Sequence, residues 1–324
     1  MVRRLGILTS GGDSPGMNAA IRAAERSASS RGIEVIGYQD GYNGLVFGQS
    51  TDLGDRSVGN IIQRGGTVLG TSRCPEFREP EGRAKAAETL RNDKVDGLII
   101  IGGDGSFKGA LALSDEHGID VVGIPGTIDN DVWGTEETLG FDTAVNSAMR
   151  AIDQVRDTSE STGMMFFVEV MGRHSGAIAI QTAVATGAVG VLVPESHSDI
   201  DRLVNRIEAA RARGKRSHII VVAEGDEAGG AFGVADRVNK MMPYPHRVVV
   251  LGHIQRGGAP TARDRVIASQ SGALAIQALV DGRSGIMIGI QGALPVEVPL
   301  KEVVEHGPPA TDYGLLQLAR DIAG

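Results

Sequence analysis

The chain has 324 residues, 41% of them hydrophobic, and carries 40 acidic against 32 basic side chains for a net charge of −8. That length supports a sizeable core and about two domains of 100–200 residues, and an acidic balance with scattered basic residues argues against a nucleic-acid or membrane-surface partner. One cysteine, Cys74, excludes an internal disulfide framework, and 46 glycines, about twice the usual ~7%, point to many tight strand-to-helix turns.

From the N-terminus, Met1-Val2-Arg3-Arg4-Leu5 runs straight into a strand with no apolar leader or membrane-spanning run, so a cytoplasmic protein is expected. Leu5 to Thr9 reads as a strand, Ser10 to Gly16 as a glycine-rich turn, and Met17 to Ser30 as a helix that stops at Gly32. The turn lacks the Gly-Lys-Ser/Thr of a Walker loop. Ile33 to Tyr38 is a second strand, followed by a long connection to Gly65-Gly66-Thr67 and an irregular segment, Thr71 to Arg78, with two arginines.

Strand and helix signals then alternate: helix 81–92, strand Leu98 to Ile101, helix Phe107 to Glu116, strand Val121 to Ile124. Such alternation predicts right-handed βαβ units in a parallel sheet with ligands at the carboxyl ends of the strands. The centre of the pattern is Leu98-Ile99-Ile100-Ile101 followed by Gly102-Gly103-Asp104-Gly105-Ser106. Four branched aliphatics describe a strand buried on both faces, and the glycines after it let backbone N–H groups approach an anion at a helix start. Asp104 at the strand tip is placed to hold magnesium between phosphate oxygens. Pro125 to Asp131 follows the next strand, with Asn130 and Asp131 equally readable as turn formers.

A long amphipathic helix is expected to start near Phe141, capped by Asp142 or Thr143, with Val145, Met149, Ile152 and Val155 as core. A second alternating run follows: strand Met165 to Val170, turn Met171 to Gly176, a helix to Thr186, strand Val191 to Val193, helix 199–213 and strand Ile219 to Val222. It predicts a second domain with its own sheet. The loop from Gly225 to Gly230 is expected to be mobile, and strand Val248 to Leu251 to end in a loop, Gly252 to Gly258. A helix 264–279 and a strand Ile286 to Ile290 are expected to return to the first sheet.

These strand ends hold the parts of a phosphoryl-transfer site: glycine cradles at Gly12 and Gly102 to Ser106, a metal-binding Asp104, a carboxylate base in Asp129, and arginine clamps in Arg73 and Arg173. Arg247 and Arg256 with His253 form a candidate second anion site, since arginine contacts phosphate bidentately.

The segments LTSGGDSPGMNAAIR (Leu8 to Arg22), RCPEFR (Arg73 to Arg78), IGGDGS (Ile101 to Ser106), PGTIDND (Pro125 to Asp131), EVMGRHSG (Glu169 to Gly176) and GHIQRGG (Gly252 to Gly258) resemble, in order, those of the bacterial-type ATP-dependent 6-phosphofructokinases. The resemblance implies two similar three-layer α/β/α domains with mainly parallel sheets, residues 1–140 plus 253–305 binding ATP and 141–252 plus 306–324 binding sugar phosphate. It implies phosphorylation of fructose 6-phosphate by ATP, with Asp129 as general base, Thr127 positioning it, and Mg²⁺ on Asp104. Gly12, Arg73, Cys74, Gly103, Gly105 and Ser106 would line the ATP site, and Met171, Gly172, Arg173, Glu224, His253 and Arg256 the sugar-phosphate site. Arg247 would come from a neighbouring subunit of a homotetramer with shared active sites. Arg22, Arg26, Arg56, Arg156, Arg213 and Lys215 match the family's effector cluster, for ADP or phosphoenolpyruvate.

Glycine at Gly105 and Gly126, where pyrophosphate-dependent relatives carry Asp and Lys, favours ATP as donor. Two positions depart from the family. Met164 stands where an arginine reaches the 6-phosphate across the subunit interface, a charge-assisted bond of roughly 1.5–3 kcal/mol, or ten- to hundredfold in affinity. Val189 replaces an acid that helps hold effector-bound magnesium, which puts ADP activation in doubt. The competing readings are a pyrophosphate-dependent or other sugar-phosphate kinase, and a catalytically weak nucleotide-binding regulatory subunit; intact Asp104, Thr127, Asp129 and Arg173 speak against the last.

Overall fold

The computed structural model describes residues 2–54 and 56–323. In chain order it begins with β1 (Arg4–Thr9), α1 (Met17–Ser29), β2 (Glu34–Tyr38), α2 (Tyr42–Phe47), β3 (Ser50–Leu53), α3 (Pro80–Asn92), β4 (Gly97–Gly102), α4 (Asp104–His117) and β5 (Val121–Pro125). It continues through α5 (Phe141–Thr162), β6 (Met165–Val170), α6 (Ala177–Thr186), β7 (Gly190–Leu192), α7 (Ile200–Ala212), β8 (His218–Ala223), α8 (Gly230–Met241) and β9 (His246–Val250). The chain closes with α9 (Ala262–Val280), β10 (Ile286–Gln291), β11 (Leu294–Pro299), α10 (Leu300–His306) and α11 (Tyr313–Asp321). It divides into two units, Met1–Asp142 with Arg256–Pro309, and Thr143–Gln255 with Ala310–Gly324.

Unit 1 is built on a seven-stranded sheet, ordered β11-β10-β5-β4-β1-β2-β3. Only its edges are antiparallel, β3 against β2 and β11 against β10. The aliphatic run of β4 explains the layering. Successive side chains in a strand point to opposite faces, so Ile99 and Ile101 pack with Ile7, Ile21 of α1 and Ile276 of α9, whereas Leu98 and Ile100 pack with Leu90 of α3 and Phe107 and Leu113 of α4. All four β4 aliphatics are fully buried, in a layer of helix, sheet and helix.

Unit 2 has a four-stranded parallel sheet, β7-β8-β6-β9. One face buries Phe167, Ile220 and Val222 under Leu203 and Ile207 of α7 and Val234 of α8. The other carries α6 against β7 and β8, with α11 on α6 and β7. The two-domain α/β/α reading therefore holds. Val189 lies in this core at zero exposure, so it is a packing residue.

Several local expectations are corrected. Helix α4 starts at Asp104, not Phe107, because the Gly103 carbonyl accepts from the N–H groups of both Ser106 (2.9 Å) and Phe107 (3.1 Å), drawing the turn into the helix. Asp142 and Thr143 lie inside the first turn of α5 and so cannot cap it. The Gly225 to Gly230 segment is pinned rather than loose: buried Asp226 accepts from Ser198 Oγ at 2.5 Å and from the Ala228 N–H at 2.9 Å. The strand expected at Val248 to Leu251 is β9, shifted toward the N-terminus, and the loop after it contains a 3₁₀ turn over Gly252–Arg256. The sequence reading leaves α2, β3, α8, β11, α10 and α11 unassigned; most are short or lie at a sheet edge, where the periodic signal is weak.

His218 opens β8 at 1% exposure. Burial first, then the cations Arg211 and Lys215, hold its imidazole below the usual histidine range. The folded protein thus keeps it neutral while the unfolded chain takes up a proton below pH ~6.5. Stability from this group is present above that pH and is lost as pH falls through it, by at most about 1.4 kcal/mol per pH unit. Urea midpoints measured from pH 7.5 to 5 should fall less steeply for His218→Gln than for the unmodified chain; parallel curves would refute this.

Candidate active site

In unit 1, β5, β4 and β1 are parallel neighbours in a register that sets Gly102 beside Pro125 and Ile101 beside Thr9. Their carboxyl ends therefore stop together, held by Ser10 N–H to the Ile101 carbonyl and Gly126 N–H to the Gly102 carbonyl, both 2.9 Å. Three loops emerge side by side: 10–16, 103–106 and 126–131. Gly102 has no room for a side chain, since a Cβ there would lie 2.5 Å from both the Ser10 carbonyl oxygen and Ser106 Oγ. The approach of the two loops depends on that missing carbon.

Asp104 heads α4, where the helix dipole favours a negative charge. Its Oδ2 takes Lys108 Nζ at 2.7 Å, one helical turn on. Its Oδ1 is buried with no hydrogen-bond partner among the described residues, an open acceptor of the kind a hard cation requires. No cluster of three or more His, Cys, Asp or Glu is found among the described residues. A single carboxylate oxygen with an open acceptor position, beside a glycine-rich turn, is a donor set that fits Mg²⁺, which takes few protein ligands and keeps waters in its remaining positions.

Asp129 is 3% exposed, and its backbone N–H donates to Thr127 Oγ1 at 3.2 Å. Asn130 holds the loop shape: it adopts a left-handed φ of 50°, its Oδ1 accepts the Thr138 N–H at 2.9 Å, and its Nδ2 donates to the Glu136 carbonyl at 3.0 Å. Thr138 Oγ1 donates to the Thr127 carbonyl at 2.6 Å. Of the two readings open for Asn130, turn former is the one the hydrogen bonds support. Thr138 carried no signal in the sequence because its role is a contact eleven residues away.

Arg73 and Cys74 are drawn to the same loops by Thr71 Oγ1, which donates to the Gly11 carbonyl at 2.7 Å, and by Asn43 Nδ2, which donates to Ser72 Oγ at 2.5 Å. Arg73 is exposed and, among the described residues, its guanidinium forms no hydrogen bond or ion pair. The Cys74 thiol is pushed up by burial, with adjacent Glu76 adding to the effect, so it is a poor nucleophile. Arg256 belongs to unit 1, where Nη1 donates to the Asp13 carbonyl at 3.1 Å and the guanidinium covers Gly12, so a Cβ there would displace it.

The donor argument divides in two. A Cβ at Gly105 would meet nothing within 4 Å, so the open space above the loop depends on glycine there. At Gly126 a Cβ would press on Ile101 Cγ2 at 3.0 Å and Met17 Cε at 3.1 Å, so that glycine also lets these two side chains pack closely against the loop.

Unit 2 repeats the construction. Met171, Gly172 and Arg173 follow β6 and Glu224 follows the adjacent β8. Glu224 Oε1 accepts the N–H groups of Gly172 (3.3 Å) and Arg173 (2.8 Å), and Gln255 Oε1 accepts the Met171 N–H at 2.8 Å. Arg173 is held at a left-handed φ of 53°. Gln255, fully buried, is a positioning residue that sequence reasoning missed, since only tertiary contact reveals it. His253 is exposed on the 3₁₀ turn after β9. Arg247 does not join it. It lies at the opposite, amino-terminal end of β9, paired with Phe166, and Met164 immediately precedes the neighbouring β6 at that same end.

The effector candidates distribute likewise. Arg22 and Arg26 lie one turn apart on α1 in unit 1, with Arg26 3.7 Å from Glu25, and Arg56 is exposed. In unit 2, Arg156 and Lys215 line an open cavity of about 520 Å³. Burial first, then Arg156 and Arg213, hold the Lys215 amine below the usual lysine range.

A model of the phosphofructokinase family matches residues 4–279. The chain is 54% identical over 306 residues to ATP-dependent 6-phosphofructokinase 1 of Thermus thermophilus, covering 94% of this chain and 95% of that protein. It is 47% identical over 322 residues to ATP-dependent 6-phosphofructokinase of Shouchella clausii, covering 99% and 100%. The phosphofructokinase structure from Saccharomyces cerevisiae superimposes with a TM-score of 0.88 at 33% identity over 99% of this chain, which spans 48% of that one. The strand-end loops described above lie within the matched segment, and this chain belongs to the phosphofructokinase family.

Proposed function

We propose that the chain transfers the γ-phosphoryl group of ATP to the 1-hydroxyl of fructose 6-phosphate, giving fructose 1,6-bisphosphate and ADP, as a glycolytic enzyme. The observation that carries the reading is the buried Asp129 on the loop after β5, next in the sheet to the loop after β4 that bears Asp104 with its vacant Oδ1. A base and a metal-binding carboxylate on adjacent strand ends are what hydroxyl phosphorylation requires.

Asp129 takes the proton from the 1-hydroxyl as its oxygen bonds to the γ-phosphorus and the bond to the β-phosphate bridging oxygen breaks, releasing ADP. Thr127 holds the loop in place through the Asp129 N–H. Gly12, Gly103, Gly105 and Ser106 cradle the donor phosphates with Arg73 and Cys74 at the edge of the site. Asp104 would hold Mg²⁺ through its open Oδ1, and the ion would supply charge neutralisation for those phosphates. Arg73 and Arg173 steady the transferring group. Met171, Gly172, Glu224, His253 and Arg256 bind the sugar phosphate, with unit 1 as the ATP-binding domain and unit 2 as the sugar-phosphate domain.

The placement of Arg247 away from His253 in its own chain supports a homotetramer in which it serves a neighbour's site. Arg22, Arg26, Arg56, Arg156, Arg213 and Lys215 form the effector site for a phosphorylated effector, ADP or phosphoenolpyruvate. Because Val189 is sealed in the core of unit 2, no carboxylate stands there to share an effector's metal, which favours phosphoenolpyruvate. No helix among the described residues is long and apolar enough to cross a membrane, in keeping with a cytoplasmic enzyme.

Initial rates of fructose 1,6-bisphosphate formation should saturate with ATP and be negligible with pyrophosphate; comparable activity with pyrophosphate would sink the argument from Gly105. Asp129→Asn should lower kcat by about 10²–10⁴-fold with little change in the KM for ATP, and a kcat within about tenfold of the unmodified enzyme would remove Asp129 from the base role. Met164→Arg should lower the KM for fructose 6-phosphate by roughly ten- to hundredfold. An unchanged KM would mean that another cation already fills that place.

A further inference from the structure

Unit 2 contains a second cavity, of about 270 Å³, lined by none of the residues assigned above. It opens at the carboxyl end of edge strand β7, between the start of α7 and the end of α11. Three arginines line it: Arg202 and Arg206, one turn apart and hence on one face of α7, and Arg320 from α11. Among the described residues, none of the three guanidinium groups takes part in an ion pair.

The acids nearby are already engaged. Asp199, the one carboxylate lining the cavity, accepts the Arg202 backbone N–H at 2.8 Å as the cap of α7. Asp321, which favours the charge on Arg206, takes Gln317 Nε2 at 2.6 Å, and Glu227 takes His197 Nδ1 at 2.5 Å. Arg320 Nη2 reaches only Ser196 Oγ, at 3.3 Å. Burial first, then Arg202 and Arg320, hold the Arg206 guanidinium below the usual arginine range. The three guanidinium groups share a partly enclosed space with no ion-pair partner among the described residues and with less carboxylate charge than their own, so they repel one another, and a polyanion relieves that repulsion while satisfying their fork-shaped donors.

We propose that this cavity is an anion-binding site for a small molecule carrying two or more phosphate charges, additional to the sites for ATP, sugar phosphate and effector. The Ser196 hydroxyl supplies a neutral donor at the rim, and the cavity admits a diphosphate group rather than a bulky polymer. The proposal stands on unit 2 alone and does not depend on the reaction assigned to the enzyme.

The test is calorimetric titration of the full-length protein with inorganic pyrophosphate and, separately, with a nucleoside diphosphate. Three forms are compared: unmodified, Arg206→Gln/Arg320→Gln, and Arg156→Gln, which disables the other cationic cavity. The expected result is one class of site that weakens about tenfold or more in Arg206→Gln/Arg320→Gln and persists in Arg156→Gln. At the class of site weakened in Arg206→Gln/Arg320→Gln, tighter binding of the nucleoside diphosphate would assign a nucleotide as the ligand, and equal binding would assign recognition of the phosphates alone. The proposal is overturned if the double variant binds pyrophosphate with unmodified stoichiometry and affinity. Relief of like-charge repulsion should leave the Tm of the double variant in anion-free buffer unchanged or raised, and a sharp fall there would overturn it too, by making the arginines structural.

Discussion

The register of β5, β4 and β1 is the constraint on which the rest of unit 1 depends. A strand buried on both faces can carry no polar side chain along its length, because an unpaired polar group in that setting costs several kcal/mol or forces neutralisation. Leu98 to Ile101 obey this fully. All chemistry is therefore displaced to where the strands end, and parallel pairing makes those ends coincide. Gly102, closed in by Ser10 and Ser106, is the joint at which the buried strand becomes the start of α4. Asp104 sits one residue beyond the Gly103 cap, and Asp129 lies on the loop after the next strand.

The same logic explains which charges are paired. Arg83 is matched bidentately to Glu116 and Arg263 to Glu137, each at 2.7–2.9 Å, fastening helices or loops at the surface. Exposed pairs of this kind contribute at most about 1 kcal/mol, so they tune the fold rather than determine it. The charged groups at strand ends are left differently. Asp104 keeps one oxygen open while Lys108 takes the other, and the Arg73 guanidinium has no partner among the described residues, so both retain unused bonding capacity. The arginines around the β7 cavity share this character, and their repulsion is the opposite of what stability alone would favour.

In unit 2 the carboxylate of Glu224 shows a second use of a strand-end acid. By accepting the N–H groups of Gly172 and Arg173 it fixes a backbone that would otherwise be strained, with Arg173 at positive φ and Gly172 at a φ of 146°. Gly225, whose Cβ would collide with the Arg173 carbonyl, completes that lock. Gln255 ties the same turn to the 3₁₀ segment after β9. A glycine, a glutamate and a glutamine thus hold the turn that presents Met171 and Arg173, although none of them is singled out by a local pattern.

Composition and periodicity by themselves determined the α/β class, the alternation of elements, the buried β4 run and the placement of polar clusters just after strands, because these follow from local backbone preferences and from the exclusion of polar groups from a two-sided sheet. The placement of Asp104, Thr127 and Asp129 just after β4 and β5 was legible for the same reason: each follows a strong strand signal. Tertiary structure alone decided strand order, the antiparallel edges β3 and β11, and contacts made over long sequence separations. Among these are Arg256 on the Gly12 turn, Thr71 on Gly11, Gln255 on Met171, and the meeting of Arg320 with Arg202 and Arg206. Such contacts leave no periodic trace, since the partners come from elements that only packing brings together, and a residue like Val189 discloses its burial only once the sheet and α7 close over it.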